Sequence, residues 1–159
     1  CGADAVIASH PHVLQPMEYQ RITEEDGTTR TGFIMYSMGN FISSQVTKPR
    51  DAGTILNLTI CKDSDKGNAI EKVSVIPTWC RFTDATGKRN FTVFSVYDVL
   101  KMKEKKRRSI IRDKDYYRIL QIQTESTATM LGKSVAVENA KKSYTFKQTK
   151  QNFNRIYKE

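Results

Sequence analysis

The sequence changes its period once, near Ser95, and that change orders everything else. Before it, short runs rich in β-branched and aromatic residues are separated by Gly, Asp and Asn turn signals; after it, apolar residues recur at helical spacing. Asp4–Ser9 (DAVIAS) reads as a buried strand. Met17–Thr23 (MEYQRIT) and Thr31–Met38 (TGFIMYSM) flank EEDGTT, and Asp26-Gly27 between alternating runs predicts a hairpin. Thr54–Cys61 and Ala69–Pro77 flank KDSDKGN, which predicts a second antiparallel pair, and Arg81–Phe94 reads as loop and strand turning at Gly87. Ser95-Val96-Tyr97-Asp98 then has the S-x-x-D form of a helix start. Asp113–Leu131 places Tyr116, Ile119, Leu120, Thr127, Met130 and Leu131 near helical spacing, with Gly132 as the stop. The reading is therefore a β-rich body over 1–94, a helical extension over 95–132, and a basic, loose tail over 133–159.

Such a β-then-α order is an α+β layout, although open α/β folds interleave their helices and strands. The first strand arrives with no helix before it, as it would in a sheet whose leading half lies elsewhere. The opening residues CGADAVIASH have no basic leader and no long apolar region, so no signal peptide is expected, and the missing initiator Met suggests a chain cut from something longer. At 159 residues it is long enough to bury a core, and no run of about 18 apolar residues could span a membrane. Cys1, Cys61 and Cys80 are odd in number and widely spaced, which fits buried thiols on strands better than a disulfide framework or a zinc knuckle.

The net charge of +9 is unevenly spread. Residues 1–100 sum to −1, 101–114 (KMKEKKRRSIIRDK) to +6, 115–132 to −1 and 133–159 to +5. An anionic partner for the C-terminal third is one reading, with Lys105, Lys106, Arg107 and Arg108 as its centre; a solvated helix face is the other. These residues lie too close in sequence to share one face, so their charge is expected to ring the helix. The basic runs lack the interleaved aromatics of nucleic-acid modules, and no nucleic-acid partner is expected.

Chemistry concentrates at the end of the first strand. Both histidines of the chain, His10 and His12, sit there around Pro11, within Ser9-His10-Pro11-His12. Imidazoles delivered from a strand's carboxyl end can ligate a divalent metal, contact substrate oxygens or move protons. Two of them fall short of a catalytic metal's usual three or more protein ligands. A second block, Tyr36-Ser37-Met38-Gly39-Asn40-Phe41, ends the next long strand; Gly39 tolerates positive φ and Asn40 can point an amide into a pocket. Ser9, Gly39 and Asn40 are the candidate substrate contacts beside His10 and His12.

The run Ala3-Asp4-Ala5-Val6-Ile7-Ala8-Ser9-His10-Pro11-His12-Val13-Leu14-Gln15-Pro16, followed by Ile34-Met35-Tyr36-Ser37-Met38-Gly39-Asn40-Phe41-Ile42, strongly resembles the bacterial CapA family. These are capsule and poly-γ-glutamate synthesis proteins with a PGA_cap domain. The resemblance is strong over residues 2–45 and extends weakly to Pro77-Thr78-Trp79. It implies the C-terminal part of a calcineurin-like metallophosphoesterase two-sheet sandwich, with His10 and His12 at the two histidines of a G-H-x-H metal motif and Ser9 replacing its glycine. It also implies a catalytic role for those histidines and a divalent metal (Mn, Fe or Zn) in the intact domain, completed by upstream motifs that would precede Cys1. Poly-γ-glutamate or another anionic capsule polymer, and other capsule synthesis subunits, are the implied partners. The implied location is the bacterial cell envelope, outside the cytoplasm, with membrane association through an N-terminal region. Ser43-Ser44-Gln45 departs from the family, many members of which carry an acidic residue before the Gln. A non-catalytic assembly or polyanion-binding subunit is the competing expectation.

Overall fold

The computed structural model describes residues 2–45, 47–63, 67–85 and 87–149. The Asp-Gly hairpin forms as expected: β2 (Met17–Thr23) pairs antiparallel with β3 (Thr29–Met35), and Gly27 turns the chain at φ 80. β1 (Ala5–Ile7) lies parallel to β3 on its other side, with Ala5 opposite Phe33 and Ile7 opposite Met35. The order β1-β3-β2 leaves β1 at an edge with a single neighbour. The expectation of a buried first strand is therefore corrected: Val6 and Ile7 are 48% and 50% exposed, because an edge strand is covered only where another layer reaches it.

The second antiparallel pair is longer than its alternation suggests. β4 (Ala52–Asp63) pairs with β5, which runs unbroken from Gly67 to Ala85. β6 (Lys88–Ser95) pairs with residues 78–85 of β5. β7 (Tyr144–Phe146) pairs with residues 73–75 of β5, along the stretch that β6 leaves free. The basic tail is thus not loose over 133–149: β7 buries Tyr144 and Phe146 in the core, and the expectation for 150–159 lies outside the described residues. Tyr19 stacks on Phe146 at 5.4 Å and donates its hydroxyl to the Phe146 carbonyl at 3.0 Å, and burial raises the phenol's pKa.

Helix α1 (Val96–Leu100) starts where Ser95 Oγ accepts from the Asp98 N–H at 3.3 Å, as the S-x-x-D form implied. α2 (Glu104–Ile110) is short, and α3 spans Asp113–Leu131, ending at Gly132 with φ 75. One core lies between the two sheets and takes in Met17, Phe33, Met35, Val73, Val75, Met130, Tyr144 and Phe146. A second joins Ala52 and Trp79 to Val96, Val99, Ile111, Ile119 and Ile122 of the helical segment. Leu14, in the loop after β1, packs against both. Among the described residues the fold is α+β, with two sheets and three α-helices.

Of the two cysteines described, both on strands, Cys80 is buried as expected and Cys61 is exposed; Cys1 lies outside the described residues. Cys61 departs because the outer part of β4, residues 59–62, is exposed along its length; its thiol donates to Glu71 at 3.0 Å and stays protonated to higher pH.

Candidate functional site

Parallel pairing of β1 and β3 makes the loops that follow them leave the sheet side by side. The contact continues past the strands: the Ala8 N–H reaches the Met35 carbonyl at 3.0 Å, the Met38 N–H reaches Ala8 at 2.9 Å, and the Gln15 N–H reaches Ser37 at 3.1 Å. Ser9–His12 closes as a tight turn through a 3.0 Å bond from the His12 N–H to the Ser9 carbonyl. That turn leaves His12 at φ 60, a left-handed conformation histidine tolerates better than most residues.

The second block is clamped to the start of β4. Gly39 (φ 66) bridges to Gly53, and a Cβ on Gly39 would stand 2.4 Å from the Ala52 carbonyl oxygen. A Cβ on Gly53 would stand 2.4 Å from the Asn40 carbonyl oxygen, so both positions need glycine for the backbones to meet. The Asn40 N–H donates to Ala52 at 3.1 Å.

These loops bring His12 and Asn40 together. Asn40 Nδ2 donates to the Arg50 carbonyl at 2.9 Å, and Asn40 Oδ1 lies 2.8 Å from His12 Nδ1. The carbonyl of Arg50 can only accept, which orients the amide. Oδ1 can then only accept, so in the neutral imidazole His12 Nδ1 carries the proton and Nε2 keeps its lone pair. Nε2 has no hydrogen-bond partner among the described residues. A lone pair so presented can bind a cation or take a proton, as histidines held through their second nitrogen do. Sequence reasoning expected Gly39 and Asn40 as ligand contacts; both are buried, and both ends of the Asn40 amide are engaged within the chain. Ser9 and His10 are exposed beside them, and His12 is half-buried.

The donor set can be set against the metal that the resemblance implies. Two imidazoles are suitable in type, but no group of three or more His, Cys, Asp or Glu side chains comes together among the described residues. Asp51, one residue from the Arg50 carbonyl, is held by Arg118. The described residues do not complete a metal centre, and no chemical step is assigned to one.

The sequence reading missed this Asp51–Arg118 pair. Arg118 Nε and Nη2 grip the two carboxylate oxygens of Asp51 at 2.8 Å each, and Nη1 reaches Glu125 at 2.8 Å. Glu125 in turn takes Lys48 Nζ at 2.6 Å. Burial alone would raise the Glu125 pKa, but the bonds from Arg118 and Lys48 hold it below the usual range. Arg118 and Glu125, seven apart, share a helix face, which is legible; the 67-residue step to Asp51 has no local signal.

In the basic stretch, Lys105 and Lys106 are exposed on α2, and Arg108 is exposed but paired with Glu104 at 2.8 Å. Arg107 corrects the expectation of a ring of solvated charge. It is 8% exposed, because Tyr116 and Asp113 at the start of α3 cover its guanidinium, the ring at 3.9 Å and the carboxylate at 3.3 Å.

No curated protein and no solved structure matches the chain. Residues 1–45, the stretch that supplies both His12 and Asn40, match the family described as bacterial capsule synthesis protein PGA_cap, in agreement with the CapA resemblance carried by its two motif blocks.

Proposed function

We propose that this chain serves capsule polymer synthesis, with His10 and His12 as the reactive edge of a metallophosphoesterase-like site acting on poly-γ-glutamate or a similar anionic polymer. In this reading the two imidazoles contribute to a divalent metal site (Mn, Fe or Zn) whose remaining ligands come from other residues of the parent protein. The site would work in the cell envelope, outside the cytoplasm and near the membrane, alongside other capsule synthesis subunits. One observation carries it: the family match covers the segment in which the two motif blocks meet through the His12–Asn40 bond. Residues chosen only for folding would not require that polar pair at the ends of neighbouring strands.

The test is complementation. A capsule-forming bacterium lacking the parent gene is supplied with the parent protein carrying His10→Ala, His12→Ala or Asn40→Ala, and surface polymer is measured. Loss of polymer at unchanged protein level is expected for the two histidine variants. The second reading, a non-catalytic subunit holding the polymer, is favoured by the exposed Lys105 and Lys106. It predicts the reverse: full polymer with both histidines replaced, and loss on Lys105→Gln/Lys106→Gln.

A further inference from the structure

We propose that Arg118 on α3 is the positioning residue for His12, acting through the turn that joins the Gly39-Asn40 block to β4. The geometry runs in one direct line. Arg118 holds both oxygens of Asp51 at 2.8 Å; the preceding residue, Arg50, presents its carbonyl to Asn40 Nδ2 at 2.9 Å; Asn40 Oδ1 meets His12 Nδ1 at 2.8 Å. Arg118 and Asp51 have only 14% and 8% of their side chains exposed, so this bidentate pair is shielded from the screening that weakens surface pairs. Glu125 on the same helix holds Lys48, three residues before Asp51, so α3 grips the turn at two points.

The consequence lies at one atom. A turn displaced by even part of an ångström takes the Arg50 carbonyl away from the amide and frees Asn40 to rotate. Once Oδ1 no longer faces Nδ1, nothing selects the tautomer in which Nε2 is bare. One hydrogen bond biases such a ratio roughly threefold to tenfold. The helix in the C-terminal third therefore sets which nitrogen of a histidine near the N-terminus can bind a cation or accept a proton. The relay stands on geometry alone; its use in polymer chemistry rests on the function proposed above.

The competing arrangement is that backbone bonds suffice, since the Cys80 N–H also holds the Asp51 carbonyl at 2.9 Å and Gly39 bridges Gly53. Long-range proton–nitrogen NMR of the ¹⁵N-labelled chain, at a pH where both histidines are neutral, separates the two. His10→Ala assigns the His12 signals. The wild type should show His12 predominantly protonated on Nδ1, and Asn40→Ala should abolish that preference. Asp51→Asn/Arg118→Gln removes both charges without stranding either one, and should give a mixture of the two tautomers while near-UV circular dichroism is retained. A folded double variant with the wild-type spectrum overturns the proposal. Should the double variant fail to fold, Arg118→Lys decides: its amine cannot grip both oxygens, so a mixed population upholds the relay and an unchanged one overturns it. Because the spectrum is read without polymer, its outcome is independent of the complementation result.

Discussion

His12 occupies a left-handed backbone position at φ 60 and recovers part of that cost through the bond to Asn40. Each term is of order 1 kcal/mol. His12→Gly removes both together, so its urea midpoint should stay within about 1 kcal/mol of the wild type in free-energy terms, which separates chemistry from stability at this residue. Gly39→Ala behaves differently. It forces a Cβ to 2.4 Å from the Ala52 carbonyl at φ 66, and because that atom and Gly53 Cα are backbone they do not yield cheaply. A loss of about 3 kcal/mol is expected in denaturant titration. A Gly39→Ala protein as stable as wild type would mean that the clamp on Asn40 is not tight.

At the scale of elements, α3 carries two duties, packing its apolar face and holding the 48–52 turn. Glu125, with its pKa held down, contributes stability that is present above the usual glutamate range and lost as pH falls through its lowered value. Thermal melts should therefore weaken in the region below about pH 4.3, and Glu125→Gln should flatten that part of the profile. An unchanged acid limb in Glu125→Gln would show that the pair with Arg118 and Lys48 is energetically silent. β7 offers a second case. The Tyr144 hydroxyl accepts from Gln123 Nε2 at 2.7 Å and from the Lys141 N–H at 3.0 Å. Tyr144→Phe keeps the ring in the core but leaves the Lys141 N–H without that acceptor, at a cost of about 1–2 kcal/mol in the same titration.

For the molecule as a whole, the positive charge of the C-terminal third creates a field toward anionic polymers. Exposed cations act through solvent over about 8 Å at physiological salt. Poly-γ-glutamate should bind the chain at low ionic strength and dissociate as salt rises, and Lys105→Gln/Lys106→Gln should weaken that binding while His10→Ala leaves it unchanged. Arg107→Gln belongs to a different class: buried against Tyr116 and Asp113, it should lower stability more than affinity. Equal affinity of the wild type and the double lysine variant in a salt titration would reduce the stretch to a solvated face.

Local chemistry was enough for the elements whose signals are local. The Asp26-Gly27 hairpin, the Ser95 cap and an α3 bounded by Asp113 and Gly132 were all legible, because turn conformation, capping and helical period act within a few residues. That both motif blocks close strands was legible too, and they meet because β1 pairs with β3. Exposure of β1 was not, because burial depends on which layer covers a strand, and apolar residues alone do not supply one. The packing of Tyr144 and Phe146 into the core was hidden by the polar composition around them. Which histidine meets Asn40, and the grip of Arg118 on Asp51, were decided by tertiary structure alone. Both contacts join residues far apart in the chain (28 and 67 positions), and no local period or propensity acts over such distances.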